Sequence, residues 1–136
     1  MSPVSYLIDT DYVIDHFNRV VPTVEHLHEL QEKGLAVSII SVAELWEGVY
    51  FSKDPTRSEV MLEEFLSGVF LLGIDEEICR RFGQLRGSLR RHGRIIGDFD
   101  LLIAASALRH NLTLLTNNLR HFENIEGLRI ESTARR

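Results

Sequence analysis

Lysine is nearly missing from this chain of 136 residues, occurring only at Lys33 and Lys53, and cysteine occurs once, as Cys79. A lone thiol excludes an internal disulfide and suits a reducing compartment, so the cytoplasm is the expected location and a packed core thiol the expected role of Cys79. No apolar run approaches the roughly 18 residues of a membrane span, so no membrane partner is expected. Met1 to Ser5 runs at once into a strand-like segment, which leaves no room for an export signal. With 15 Lys and Arg against 20 Asp and Glu, the net charge is -5, and bulk charge does not draw this chain to nucleic acid. Repeats, low-complexity segments and linkers are also absent. The length fits one domain, residues 1–136, with 132–136 as a frayed tail.

What is present is an alternation of short apolar runs with amphipathic segments. Val4 to Asp9, Leu35 to Ser41, Val69 to Ile74 and Leu112 to Thr116 read as buried strands, and Leu128 to Ile130 as a short edge strand. Helices are predicted from Asp9-Thr10-Asp11, from Pro22-Thr23 to Gly34, and from a capping box at Ser41-Val42-Ala43-Glu44 through Phe51. Asp54-Pro55 caps another. After Asp75-Glu76-Glu77 comes a long helix whose Ile78, Phe82, Leu85 and Leu89 make one face and which Gly93 ends. The next helix, opened by Gly97-Asp98-Phe99-Asp100, turns wholly apolar from Leu101 to Ala105 and so belongs in the core. Strands alternating with helices predict a three-layer α/β/α fold with a short, mainly parallel sheet covered by helices.

In such folds ligands sit outside the carboxyl ends of the strands. Asp9 ends the first strand, Glu44 follows the second, Asn117 and Asn118 follow the fourth, and Asp100 can face the same rim. Carboxylates gathered there repel by about 4 kcal/mol per pair at 4 Å and an effective dielectric near 20, unless a cation holds them. Oxygen ligands without a His or Cys set favour Mg2+, with Mn2+ able to substitute. Asp98 and Asp100 point in nearly opposite directions on a helix. Asp100 is therefore the ligand candidate, and Asp98 an N-cap or an outer partner of the ligands. Glu44 also reads as the capping-box partner of Ser41, and Asp11 as a solvated first-turn acid.

The strings Leu7-Ile8-Asp9-Thr10-Asp11, Ser41-Val42-Ala43-Glu44-Leu45, Gly97 to Ala105, and Leu115-Thr116-Asn117-Asn118 through Phe122, in that order, resemble PIN-domain ribonucleases. Within that family they are most similar to the VapC toxins of bacterial VapBC toxin–antitoxin pairs. The resemblance implies an Mg2+-dependent endoribonuclease leaving a 5′-phosphate and a 3′-hydroxyl. It makes Asp9, Glu44 and Asp100 the metal-site acids, and Thr116 and Asn118 further catalytic positions. Asn118 stands where the family often has an acid, which leaves one metal or two open. A homodimer and a VapB-type antitoxin lying over the acidic cleft are also implied.

Two other readings compete. A haloacid-dehalogenase-like phosphatase shares Asp9-Thr10-Asp11 after a strand but needs a downstream lysine, and none follows Lys53. A catalytically silent PIN fold that only binds a partner is the other. Arg80, Arg81, Arg86, Arg90, Arg91 and Arg94 cluster before the acidic stretch, where they are either phosphate contacts or a solvated helix face. His26 and His28 diverge on their helix and make a poor metal pair, and His121 reads as a surface residue. Trp46 and Tyr50, at i and i+4, fit a dimer or antitoxin surface.

Overall fold

Successive residues of a strand point to opposite faces of its sheet, and in the computed structural model, which describes residues 4–134, helices cover both faces. Strands β1 (Tyr6–Ile8), β2 (Leu35–Ser38), β3 (Phe70–Leu72), β4 (Thr113–Leu115) and β5 (Ile130–Glu131) form one sheet in the order β3-β2-β1-β4-β5. Every neighbouring pair is parallel. Ile8, Val37 and Leu115 turn to one side, against Val13, Leu27, Leu45 and Leu62. That layer is built by helices α1 (Thr10–Phe17), α2 (Val21–Leu30), α3 (Ile39–Tyr50) and α4 (Pro55–Ser67). Leu7, Ala36 and Leu114 turn to the other side, against Leu89, Ile103 and Phe122. That layer is α5 (Glu76–Arg91), α6 (Asp98–Arg109) and α7 (Leu119–Phe122). The expected α/β/α sandwich is present, with a wholly parallel sheet. Each fully buried leucine or isoleucine contributes about 1.5–3 kcal/mol, and α6 is the most enclosed helix, with Leu101 and Ile103 to Ala107 all buried.

Several local expectations need correction. The run Leu35 to Ser41 is not all strand: the Ser38 hydroxyl accepts from the Ile40 amide at 3.1 Å and starts α3 at Ile39. Ser41 therefore lies inside the helix, and no capping box with Glu44 forms. Asp98 is not an N-cap either, because Gly97 holds that position and Asp98 is the first helical residue. Cys79 is exposed rather than a core thiol. β3 is an edge strand whose Phe70 and Leu71 are exposed. Part of the expected tail is held: Asn117 Oδ1 accepts from the Ser132 hydroxyl at 2.7 Å and from the Thr133 and Ala134 amides at 3.0 Å. Positions 135–136 lie outside the described residues. No helix of the described residues is long and apolar enough to cross a membrane.

Candidate active site

The sheet order reverses about β1. Its neighbour β2 is reached through α1 and α2 on one face, while β4 follows α5 and α6 on the other, so a crevice opens at the carboxyl ends of β1 and β4. Asp9 follows β1 directly, and its amide donates to the Leu115 carbonyl at 2.9 Å, which extends the ladder by one residue. The residue is only 2% exposed. Its two carboxylate oxygens are held separately, Oδ1 by the Thr10 amide at 2.9 Å and Oδ2 by the Thr116 hydroxyl at 2.8 Å. Burial pushes the Asp9 carboxyl up from 3.8 to about 6, and Asp100 and Asp11 add to the rise, while the bonds from Thr116 and Thr10 oppose it. The geometry keeps a charge where the surroundings disfavour it.

Glu44 reaches the same place from α3. Thr10 Oγ1 donates to Glu44 Oε1 at 2.7 Å and lies 2.8 Å from Ser41 Oγ. With its one proton given to the carboxylate, Thr10 accepts from Ser41. Burial raises the Glu44 carboxyl as well, with the Asp100, Asp11 and Glu47 charges adding to the effect. Asp11 is exposed at the mouth of the site, and its Oδ2 accepts from the Asn118 amide. The Asn118 side chain thus places a donor beside Asp11 where an acid would add another negative charge, and the Asn118 backbone N–H donates to Thr116 Oγ1 at 3.0 Å.

Asp100 enters from α6. Its Oδ2 lies 2.6 Å from His121 Nδ1 on α7, and His121 is the surface residue expected, its side chain 55% exposed, while also touching the site. Asp98, two positions earlier, faces away to Arg86, whose Nη2 donates to Asp98 Oδ1 at 2.6 Å and whose Nη1 donates to the Ile96 carbonyl at 2.7 Å. The Arg86 side chain is 18% exposed and lies over the Phe82 ring at 5.4 Å. One arginine thus fastens α5 to the turn that carries Asp100. Asp9, Glu44, Asp100, Thr116 and Asn118 all meet at one end of the sheet, joined by Thr10, Asp11 and His121. The bridging parts played by Thr10, His121 and Arg86 were not read from the sequence. Thr10 sat visibly between two acids, whereas the other two contacts join residues far apart in the chain.

The other singled-out residues lie elsewhere. His26 Nδ1 is 2.5 Å from the Tyr12 hydroxyl and its Nε2 is 2.6 Å from Glu131 Oε2, which ties α2 to β5. Trp46 and Tyr50 stack at 6.0 Å, with Trp46 half-buried and Tyr50 67% exposed.

The comparison with known proteins agrees with this architecture. A PIN domain family profile matches residues 6–128. Ribonuclease VapC2 of Haemophilus influenzae is 35% identical over 127 residues, spanning 93% of this chain and 96% of that protein. The tRNA(fMet)-specific endonuclease VapC of Shigella flexneri is 32% identical over 126 residues, with the same two coverages. Among solved structures, VapBC2 from Rickettsia felis bound to a DNA fragment from its promoter superposes with a TM-score of 0.90 at 32% identity, covering 96% of this chain and 100% of that one. DNA-bound VapBC from Salmonella typhimurium gives 0.88 at 31% identity, covering 96% and 98%. Fold, site position and relatives coincide: this chain belongs to the PIN domain family and, within it, to the VapC proteins.

Proposed function

We propose that this chain is an Mg2+-dependent endoribonuclease, the toxin member of a toxin–antitoxin pair. The observation that carries the reading is Asp9: a carboxylate almost fully buried, with its pKa raised to about 6 and Asp100 and Asp11 among the causes. Among the described residues no lysine or arginine pairs with Asp9, Asp11, Glu44 or Asp100. A donor set made of carboxylates suits a hard divalent cation. Among the described residues no three His, Cys, Asp or Glu side chains are gathered closely enough to hold an ion unaided, so water or phosphate oxygens would complete its shell.

Asp9 and Asp100 are the residues that would hold the ion directly, with Glu44 the third acid of its site. When bound, it supplies a water acidic enough to attack at neutral pH and positive charge against the phosphodiester. The protein contributes orientation. Thr116 and the Thr10 amide fix both oxygens of Asp9, the Thr10 hydroxyl fixes Glu44, and His121 holds Asp100. Water adds across the P–O3′ bond of RNA and leaves a 5′-phosphate and a 3′-hydroxyl. No side-chain nucleophile takes part.

The inhibitor is a VapB-type antitoxin. A groove of about 400 Å³ runs from Glu44 between α1, α3 and α4 and is lined by Ile14, Phe17, Val49 and Met61. An apolar antitoxin segment laid in it would end at the acid site. Two chains pair through the exposed aromatic face of α3, where Tyr50 and Phe51 stand out.

The test is cleavage of total RNA by purified protein with Mg2+, read by sequencing the new 5′ ends. Discrete cuts that vanish with chelator and with Asp100→Asn are expected. Undiminished cutting in either case would overturn the metal mechanism, and no cutting by the unaltered chain would leave a protein that only binds a partner.

A further inference from the structure

An acid-lined pocket on a chain of net charge -5 repels the substrate proposed for it, so the phosphodiester backbone needs a cationic surface next to the site. A second groove, of about 540 Å³, meets that need. One wall is a stripe of α5, where Arg81, Ser88 and His92 recur at i, i+7 and i+11, beside the core stripe of Ile78, Phe82, Leu85 and Leu89. At 1.5 Å per residue that stripe is about 16 Å long. Arg94 closes its upper end. It is held there by a helix stop in which the Arg94 amide donates to the Leu89 carbonyl at 2.8 Å and the Gly93 amide to the Arg90 carbonyl at 3.1 Å. Gly93 takes φ +66° in that turn, the left-handed conformation that the motif requires. The opposite wall carries Asn124 and the groove's one acid, Glu126.

Both walls lead along the chain to segments that carry the acid site. The α5 wall continues from Arg94 through Ile96 to Asp98 and Asp100, and the other wall follows α7, whose His121 touches Asp100. The two arginines are also available. Arg80 is committed to Glu76 and Arg86 to Asp98. The Arg81 and Arg94 guanidinium groups make no ion pair or hydrogen bond among the described residues. The groove that leaves Glu44 on the other side has a mainly apolar lining, with Arg57 its one cation. Of these two grooves, the α5 groove is the better fit to a polyanion.

We propose that the groove between α5 and the segment after α7 is the track on which single-stranded RNA lies as it enters the acid site, with Arg81 and Arg94 holding its phosphates. The inference rests on the nuclease reading and locates its substrate. Glu126 works against the phosphates and tempers the grip, so its removal strengthens binding.

The experiment is fluorescence anisotropy with a labelled single-stranded RNA of about 16 nucleotides, on chains carrying Asp100→Asn so that the RNA stays intact. The double substitution Arg81→Gln with Arg94→Gln is expected to weaken binding about tenfold and to lower the slope of log K against log salt by about 1.4, roughly 0.7 for each lost contact to a single strand. The corresponding double change to Lys keeps the charge and restores both. Glu126→Gln binds about twofold to threefold more tightly. Arg80→Gln, on the same helix but outside the groove, leaves affinity and slope unchanged. An unchanged affinity and slope in the Arg81/Arg94 double variant would overturn the track. If the Asp100-intact chain still cleaves RNA in that event, the nuclease reading stands and only the track falls. If the Asp100-intact chain cleaves no RNA in Mg2+, both fall together.

Discussion

Acids on the outer surface of α5 and α6 and acids at the carboxyl ends of the strands are treated in opposite ways. On the outer surface each pairs with an arginine: Glu76 with Arg80 at 3.1 Å, Glu77 with Arg109 at 2.5 Å and Asp98 with Arg86 at 2.6 Å. At the strand ends the partners are a threonine hydroxyl, a backbone amide, a side-chain amide and a histidine ring. Arginine neutralises a carboxylate, whereas a hydroxyl or amide orients it and leaves most of its charge in place. Exposed pairs of the first kind are worth about 0–1 kcal/mol, so they do little for stability. The second arrangement costs stability, as the raised Asp9 carboxyl shows. Among the described residues no arginine or lysine pairs with Asp9, Asp11, Glu44 or Asp100, the acids around the proposed cation site.

Replacing one of the strand-end acids by its neutral isostere should break this contrast most severely. Asp9→Asn is expected to lower the single-turnover rate of RNA cleavage by about a thousandfold or more, since a direct ligand outweighs the 10–100-fold typical of its supporting partners. The same change should stabilise the metal-free fold at pH 7.5. Asp9 holds its proton more tightly folded than unfolded, so between about pH 4 and 6 the native state binds more protons and stability falls as pH rises. A rise of about two pKa units corresponds to about 3 kcal/mol at most, and weaker bonds from Thr116 and the Thr10 amide to an amide oxygen will take back part of it. Denaturant titrations of both forms at pH 4 and 7.5, without divalent ions, check the sign. A wild type that gains stability through that window would contradict it.

A smaller effect is expected from the other member of the comparison. Arg86→Gln unfastens the turn before Asp100 while leaving the acids intact, so kcat should drop about tenfold with little change in KM. Combining it with Asp98→Asn should add almost nothing, because the two residues act through one contact. If the losses instead multiply, Arg86 does not work through the Asp98 turn.

The smallest change sharpens the contrast. Asn118→Asp sets a carboxylate against Asp11 in place of the amide that now donates to it. Metal-free stability should fall by about 1 kcal/mol, while the affinity for Mn2+ rises several-fold. Calorimetric titration of both proteins gives the answer, and a weaker affinity in the variant would show that a carboxylate at position 118 does not serve the cation.

Much of this arrangement could be read in the sequence, and the parts that could not have definite physical reasons. The apolar run Leu101 to Ala105 permits no exposed face, so a buried α6 followed from it directly. The opposite directions of Asp98 and Asp100 followed from helical geometry, as the arginine on one and the acids around the other now illustrate. Ser41 to Glu44 satisfies a capping-box pattern although Ser38 is the cap, because a local pattern cannot reveal that Ser41 turns inward to Thr10. The exposure of Cys79 is legible in the helix periodicity. Cys79 lies one residue off the stripe of Ile78, Phe82, Leu85 and Leu89, which puts it on the open side of α5. The contacts of His121 with Asp100 and of Arg86 with Asp98 depend on how α5, α6 and α7 pack, which no short window of residues encodes.

Mn2+ binding to the purified chain, followed by electron paramagnetic resonance at pH 7.5, tests most directly whether a divalent ion is held at the strand ends. Saturable binding is predicted for the unaltered protein, lost in Asp9→Asn and in Asp100→Asn and unchanged in Ser38→Ala, which removes only a helix cap worth about 1 kcal/mol. No bound Mn2+ in the unaltered protein, together with RNA cleavage at full rate in excess chelator, would contradict it.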